Sequence, residues 1–320
     1  MALIEPFMIK SAFGLSADTA VELTANTGES FMIKDVIICG ASDDYALLEI
    51  DKTTVGFFRV DHGSLGSHLP VNRTSAKGNV NYSGFRADSS ITLIAYMIRK
   101  GWMEGYPVAE GQTFRVKPFT SGKSLSNVII IYEKYDAEDI KKDMPNGSNA
   151  NEFVFVNYGQ PSSPLTTGGD YEINKVVTCA EFPDFPIGDA VPAKQEIEIL
   201  GVLGSEAIDY DGTDDYTCTK YLKFFKGRKV LFDEDRNGLP FYQPVFTDIT
   251  AGTYFGRGIS VVGNYSLRDR REPFLPQQPL IFKAGDELKV YITAEQGTNA
   301  GSISGDYAEI AFIERVKILE

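Results

Sequence analysis

The sequence predicts an all-β protein made of two β-sandwich domains in tandem. Three observations predict it. Short apolar runs recur along the chain between breakers, several of them alternate in polarity, and one pattern of strand, turn and strand occurs twice. The chain has 320 residues, more than one hydrophobic core ordinarily serves, so two domains are expected. It is rich in Phe (21), Tyr (16), Gly (30) and Pro (15), a mixture that favours strands joined by tight turns.

In the first half the expected strands are Phe31–Ile38, Tyr45–Ile50, Val55–Val60, Ile91–Ile98, Gln112–Pro118 and Val128–Tyr132. In the second they are Phe153–Tyr158, Gln195–Leu200, Tyr221–Phe225, Lys229–Phe232, Gly258–Val262, Glu287–Thr293 and Ala308–Leu319. Most are β-branched or aromatic and end at Gly, Pro, Asn, Asp or Ser. Thr113 to Lys117 and Glu287 to Ile292 alternate strictly, as in an antiparallel sheet with one wet face. Ala137–Lys142 suits a turn or two of helix, and no other stretch sustains a helical period.

The repeat is clearest from Pro107 and from Pro279. Each opens an apolar pair, a Gly with an acidic or amide residue, an alternating strand, a Gly/Ser turn and a second apolar strand. This pairs Gln112–Pro118 with Asp286–Thr293. Upstream, Phe31-Met32-Ile33 through Phe57-Phe58 echoes Ile197-Glu198-Ile199 through Phe224-Phe225. Ala137–Asn151 is polar and rich in breakers, as a linker is. The expected domains are therefore residues 1–150 and 151–320.

Several classes of function lose support on composition. A net charge of −13 repels nucleic acid, so no direct nucleic-acid partner is expected. Cys39, Cys179 and Cys218 are odd in number and lack paired spacing, which reads as buried free thiols in a reducing compartment. The N-terminus lacks the basic and apolar regions of a signal peptide, and no apolar run is long enough for a membrane helix.

One stretch of the sequence offers candidate metal ligands. Asp233, Asp235 and Asn237, followed by Gly238, place oxygen ligands like the opening of a calcium loop. The pattern then breaks at Pro244, where a bidentate acid is required. These three residues are the candidate ligands of a structural calcium site, set against a solvated acidic hairpin. Asp209 to Asp215 is acidic but mis-spaced. His62 and His68, the two histidines, are too few for a cupin metal centre. No nucleophile, phosphate-loop or zinc-protease motif occurs, so no enzyme and no cofactor is expected. Arg268 to Glu272 mixes both charges and reads as a solvated loop or an inter-subunit belt. Trp102 reads as a core or corner residue.

The strand grammar Gly28-Glu29-Ser30-Phe31 through Ile38, Ala109-Glu110-Gly111 through Val116 and Ala284-Gly285-Asp286 through Ile292 resembles that of double jelly-roll major capsid proteins of membrane-containing icosahedral viruses. The resemblance covers nearly the whole chain and is one of architecture, since none of these stretches is a signature motif. It implies two upright jelly-roll barrels per subunit and a pseudo-hexagonal homotrimer. It further implies a virion shell assembled in the host cytoplasm, with other virion proteins and the surface of an internal lipid membrane as partners. Asp61–Asp88, Glu152–Asp189 and Asp233–Ile281 are the expected loops for locking neighbours. The alternative is a tandem sandwich that binds a receptor or carbohydrate, with an aromatic groove near Trp102 and Tyr106.

Overall fold

The computed structural model describes residues 3–39, 44–60, 92–163, 169–175, 190–204, 208–210, 216–231, 238–240, 276, 279–296 and 310–320. Their regular structure is almost wholly strand, with one short helix.

The first half builds two facing four-stranded sheets. One contains β1 (Leu3–Phe13), β3 (Glu29–Cys39), β6 (Tyr106–Val108) and β8 (Asn127–Asp136), in the order β1-β8-β3-β6. The other contains β2 (Val21–Thr24), β4 (Asp44–Ile50), β5 (Thr53–Val60) and β7 (Thr113–Pro118), in the order β2-β7-β4-β5. All pairs are antiparallel. Strands 1, 8, 3 and 6 facing strands 2, 7, 4 and 5 is the jelly-roll order. Alternation sets which face is buried. Phe114 and Val116 of β7, and Val128, Ile130 and Tyr132 of β8, point into the core.

The second half repeats the plan. β9 (Glu152–Pro161), β18 (Ile310–Ile318), β11 (Gln195–Gly204) and β16 (Leu280–Lys283) lie in the order β9-β18-β11-β16. They match β1-β8-β3-β6 position for position. β10 (Gly169–Lys175), β17 (Leu288–Gln296) and β13 (Tyr216–Lys226) match β2, β7 and β4. At β13's outer edge, where β5 would pair, lie β12 (Ile208–Tyr210), β14 (Lys229–Val230) and β15 (Leu239–Pro240). The end of β9 also pairs with β10 through Ile173↔Pro161, which curls both layers into one ten-stranded sheet.

The topology therefore places Gln112–Pro118 and Asp286–Thr293 at the same position, in β7 and β17. The upstream echo holds only in part. Phe31 to Ile33 and Ile197 to Ile199 share a position in β3 and β11, whereas Phe57-Phe58 lies in β5 and Phe224-Phe225 in β13, the counterpart of β4.

Three expectations are corrected. Ile91–Ile98 is no strand: Leu93–Arg99 forms helix α1. Thr92 caps it by accepting from Ala95 N, and Leu93, Ile94, Tyr96 and Met97 bury one face. Ala137–Lys142 makes turns rather than helix. Within Glu152–Asp189, expected as a loop, β9 and β10 form.

Among the described residues no strand pairing joins the two halves, yet the cores do not separate at residue 150. Val154, Val156, Tyr158, Leu200, Ala311 and Ile313 join the first half's core. Ile197, Ile199, Phe312 and Val316 face Leu222, Phe224, Val290 and Ile292 in a second core. The β9-β18-β11 sheet is thus apolar on both faces, which accounts for the near-continuous apolar run Ile310 to Ile313.

Candidate functional site

Most sequence-predicted site residues lie outside the described residues: Asp233, Asp235 and Asn237, His62 and His68, and Arg268 to Glu272. So do Cys179 and the side chains of Cys39, Cys218 and Asp209. The edge hairpin that would precede the calcium loop is present as β13 and β14, joined through Phe225↔Val230. Among the described residues no group of three or more His, Cys, Asp or Glu is placed to hold a metal ion. Among them, too, no helix is long and apolar enough to cross a membrane.

Trp102 is a half-buried corner residue, set edge-on to Tyr96 at 5.8 Å. Tyr106 is fully buried and stacks with Phe114 at 6.3 Å. Burial raises the Tyr106 phenol far above its ordinary range, with Tyr158 adding to the effect, so it stays protonated.

What the fold does bring together is a seam between the two jelly rolls. β5 and β9 are in contact there, with Val154, Val156 and Tyr158 of β9 packed into the first half's core. Tyr45 of β4 stacks on Phe57 of β5 at 4.5 Å, and Tyr158 of β9 stands edge-on to both at 5.6 Å. Phe119, just after β7, caps the cluster from the solvent side at 5.4 Å from Phe57. Gln160 Nε2 donates to the Tyr45 hydroxyl at 2.8 Å. Each such ring pair contributes about 0.5–1.5 kcal/mol beyond area burial.

The connecting segment is pinned to this seam. Asn146 is buried; its Nδ2 donates to Val154 O at 2.9 Å and its Oδ1 accepts from Val154 N at 2.8 Å. Ile140 is buried as well. Polar composition made the segment read as a plain linker, but Asn146 and Ser148 bond the backbone of Val154 and Gly101.

Charge is arranged in two cross-strand ladders. On β2-β7-β4, Arg115 pairs with Glu22 at 2.7 Å and Glu49 at 3.6 Å, and Lys117 with Glu49 at 2.7 Å. On β9-β18-β11, Arg315 pairs with Glu198 at 3.0 Å and Glu152 at 3.6 Å, and Lys317 with Glu198 at 3.6 Å. Register puts Glu22, Arg115 and Glu49 directly opposite, and likewise Glu198 and Arg315, while the other pairs are diagonal neighbours. Glu49 and Glu198 are nearly buried, so their partners offset the cost of desolvating them. Elsewhere, Asp286 is held below the usual carboxylate range by the Lys226 ammonium that bonds it.

A third feature is strand β1, at the sheet edge. Leu3, Ile4, Phe7, Ile9 and Phe13 are all exposed there, Phe7 by 62% and Phe13 by 65%. Two register shifts and Pro6 interrupt β1 near Glu5, features that blunt an edge against strand addition. Its apolar side chains therefore offer contact by face rather than by backbone pairing. Sequence reasoning missed β1, because Pro6 and the doubled register shift break its alternation.

None of these features carries a nucleophile–base pair. They supply contact chemistry: aromatic stacking, laddered charge and an exposed apolar face. No protein-family model matches the chain, and no curated protein matches its sequence.

Proposed function

We propose that the chain is a structural shell subunit: a major capsid protein that self-associates, as a homotrimer of double barrels, into an icosahedral virion shell. The observation that carries this reading is the repeated strand order, β1-β8-β3-β6 and again β9-β18-β11-β16, each facing its own second layer. Two copies of one sandwich side by side give a subunit whose two flanks differ. A closed ring needs that difference, since its contacts are heterologous. The sheet shared between the two cores holds the barrels in one orientation, as a lattice unit requires. The exposed apolar β1 supports self-contact, because large side chains grouped on one strand mark an interaction surface. Net charge of −13 keeps subunits soluble before assembly and argues against direct genome binding. Other virion proteins and the surface of an internal membrane are the partners this reading implies.

The experiment is analytical ultracentrifugation of the purified protein at micromolar concentration, with electron microscopy of particles from its source. A trimer, and a lattice of pseudo-hexagonal units, are the expected results. A strict monomer absent from any particle lattice overturns the shell reading in favour of a receptor- or carbohydrate-binding tandem sandwich.

A further inference from the structure

The registers align the two jelly rolls residue by residue. In β3 the register shifts between Ile33 and Asp35, and Asp35 then lies opposite Ile131 of β8. In β11 it shifts between Ile199 and Gly201, and Gly201 lies opposite Ile313 of β18. The irregularities coincide, so Ile131 answers to Ile313 and Ile129 to Ala311. On the next strand over, Ile9 of β1 lies opposite Ile131, and Val156 of β9 lies opposite Ile313. Ile9 therefore answers to Val156. All of these side chains alternate with core residues such as Ile130 and Phe312, so they point away from their own sandwich.

Burial separates the two versions of this face. In the second jelly roll Val156, Ala311 and Ile313 are at most 2% exposed, and they pack into the first half's core. In the first, Ile9 is 52% exposed, and Ile129 and Ile131 are half-buried. Phe7 and Phe13 lie on the same side of β1 as Ile9 and are exposed too. Val128 to Tyr132 is as continuously apolar as Ile310 to Ile313, the composition of a sheet covered on both faces, yet one of its faces stands open. The cover on the second sheet is the edge of the first jelly roll. There β5 touches β9, and Tyr106 and Pro107 of β6 line the seam. That edge has an open counterpart as well. Pro107 lies opposite Met32, and Ile281 of β16 opposite Glu198, each one residue before the aligned Ile33 and Ile199. Pro107 thus answers to Ile281, which is 38% exposed. Each chain spends one face and one edge on itself and leaves one of each unused.

From these observations we infer that the open face of β1-β8-β3 receives the β16 edge of a second copy of this chain, repeating between chains the seam made within each. The occupant follows from the seam itself, where the aligned face already takes the aligned edge. The contact is heterologous, so copies join head to tail and can close into a ring. Around such a ring, seams within chains alternate with seams between them. The inference rests on the proposed self-association and adds which surfaces meet.

The test blocks one surface at a time in the full chain and reads assembly by analytical ultracentrifugation. Ile9→Asp blocks the face and Ile281→Asp the edge. Both sites are exposed, so both variants should fold as wild type does by circular dichroism. If either does not, Phe7→Asp on the same face, or Lys283→Glu on the same side of β16, replaces it. Each variant alone should sediment as a monomer at concentrations where wild type forms its ring. An equal mixture of the two should form a dimer and stop there, because one intact face and one intact edge remain to pair. An oligomer that survives either substitution overturns the inference and leaves the shell reading standing. So does a mixture that stays monomeric, since the two surfaces then do not meet each other. A wild type that is monomeric throughout overturns the inference together with the self-association on which it rests.

Discussion

Asp35 shows what one half-buried carboxylate does to a jelly roll. Its Oδ1 accepts from Val36 N at 2.8 Å and from the hydroxyl of Thr92, the cap of α1. Burial raises its pKa, and the bonds from Thr92 and Val36, with the nearby Arg99, only partly oppose it. The folded state therefore holds the Asp35 proton more tightly than the unfolded chain does. The charged form costs stability at neutral pH, and that cost disappears as pH falls through the raised folded value. Asp35→Asn keeps an Oδ1 acceptor for both donors and removes the charge. It should raise the melting temperature at pH 7, with the gain shrinking towards pH 4. Thermal melts of both proteins across that range check it, and a variant less stable at pH 7 refutes it.

At the scale of the element, β18 is the strand on which both cores depend. Phe312 points to one side, edge-on to Phe224 at 6.0 Å, and Ile313 to the other, into the seam. Both are fully buried. Phe312→Ala should cost about 3–5 kcal/mol and Ile313→Ala about 2–5 kcal/mol, transfer and cavity terms together. Because one strand serves both cores, each variant should shift a single unfolding transition in denaturant melts. Two separated transitions, only one of them moved, contradict this coupling. Strand β1 stands at the other extreme, bound along one edge by β8, with Met8 and Ala12 against the core and most other side chains exposed.

For the whole molecule, the exposed apolar side chains of β1 bear on the proposed self-association. Phe7→Ser with Phe13→Ser removes its most exposed apolar groups. Exposed positions of this kind ordinarily change stability by under about 0.5 kcal/mol. The double variant should therefore melt like the parent but self-associate at least tenfold more weakly by sedimentation. Unchanged association directs attention to the ladder faces around Glu49 and Glu198 instead.

Local pattern alone determined much of this protein. Alternation in Thr113–Lys117 and Glu287–Ile292 placed β7 and β17, and the Pro107 and Pro279 repeats placed them at one topological position. These features were legible because a strand with one buried face writes its period into neighbouring residues. Tertiary structure decided the rest. Ile91–Ile98 became helix because Thr92 finds Asp35 and the helix finds a core to bury its apolar face, contacts that β-branched composition does not announce. β1 has no clean period because Pro6 and two register shifts interrupt it and its apolar residues lie on both faces. The seam joins Tyr45, Phe57 and Tyr158 across distant stretches of chain. Such sites are sums of long-range contacts, and long-range contacts leave no local period to read.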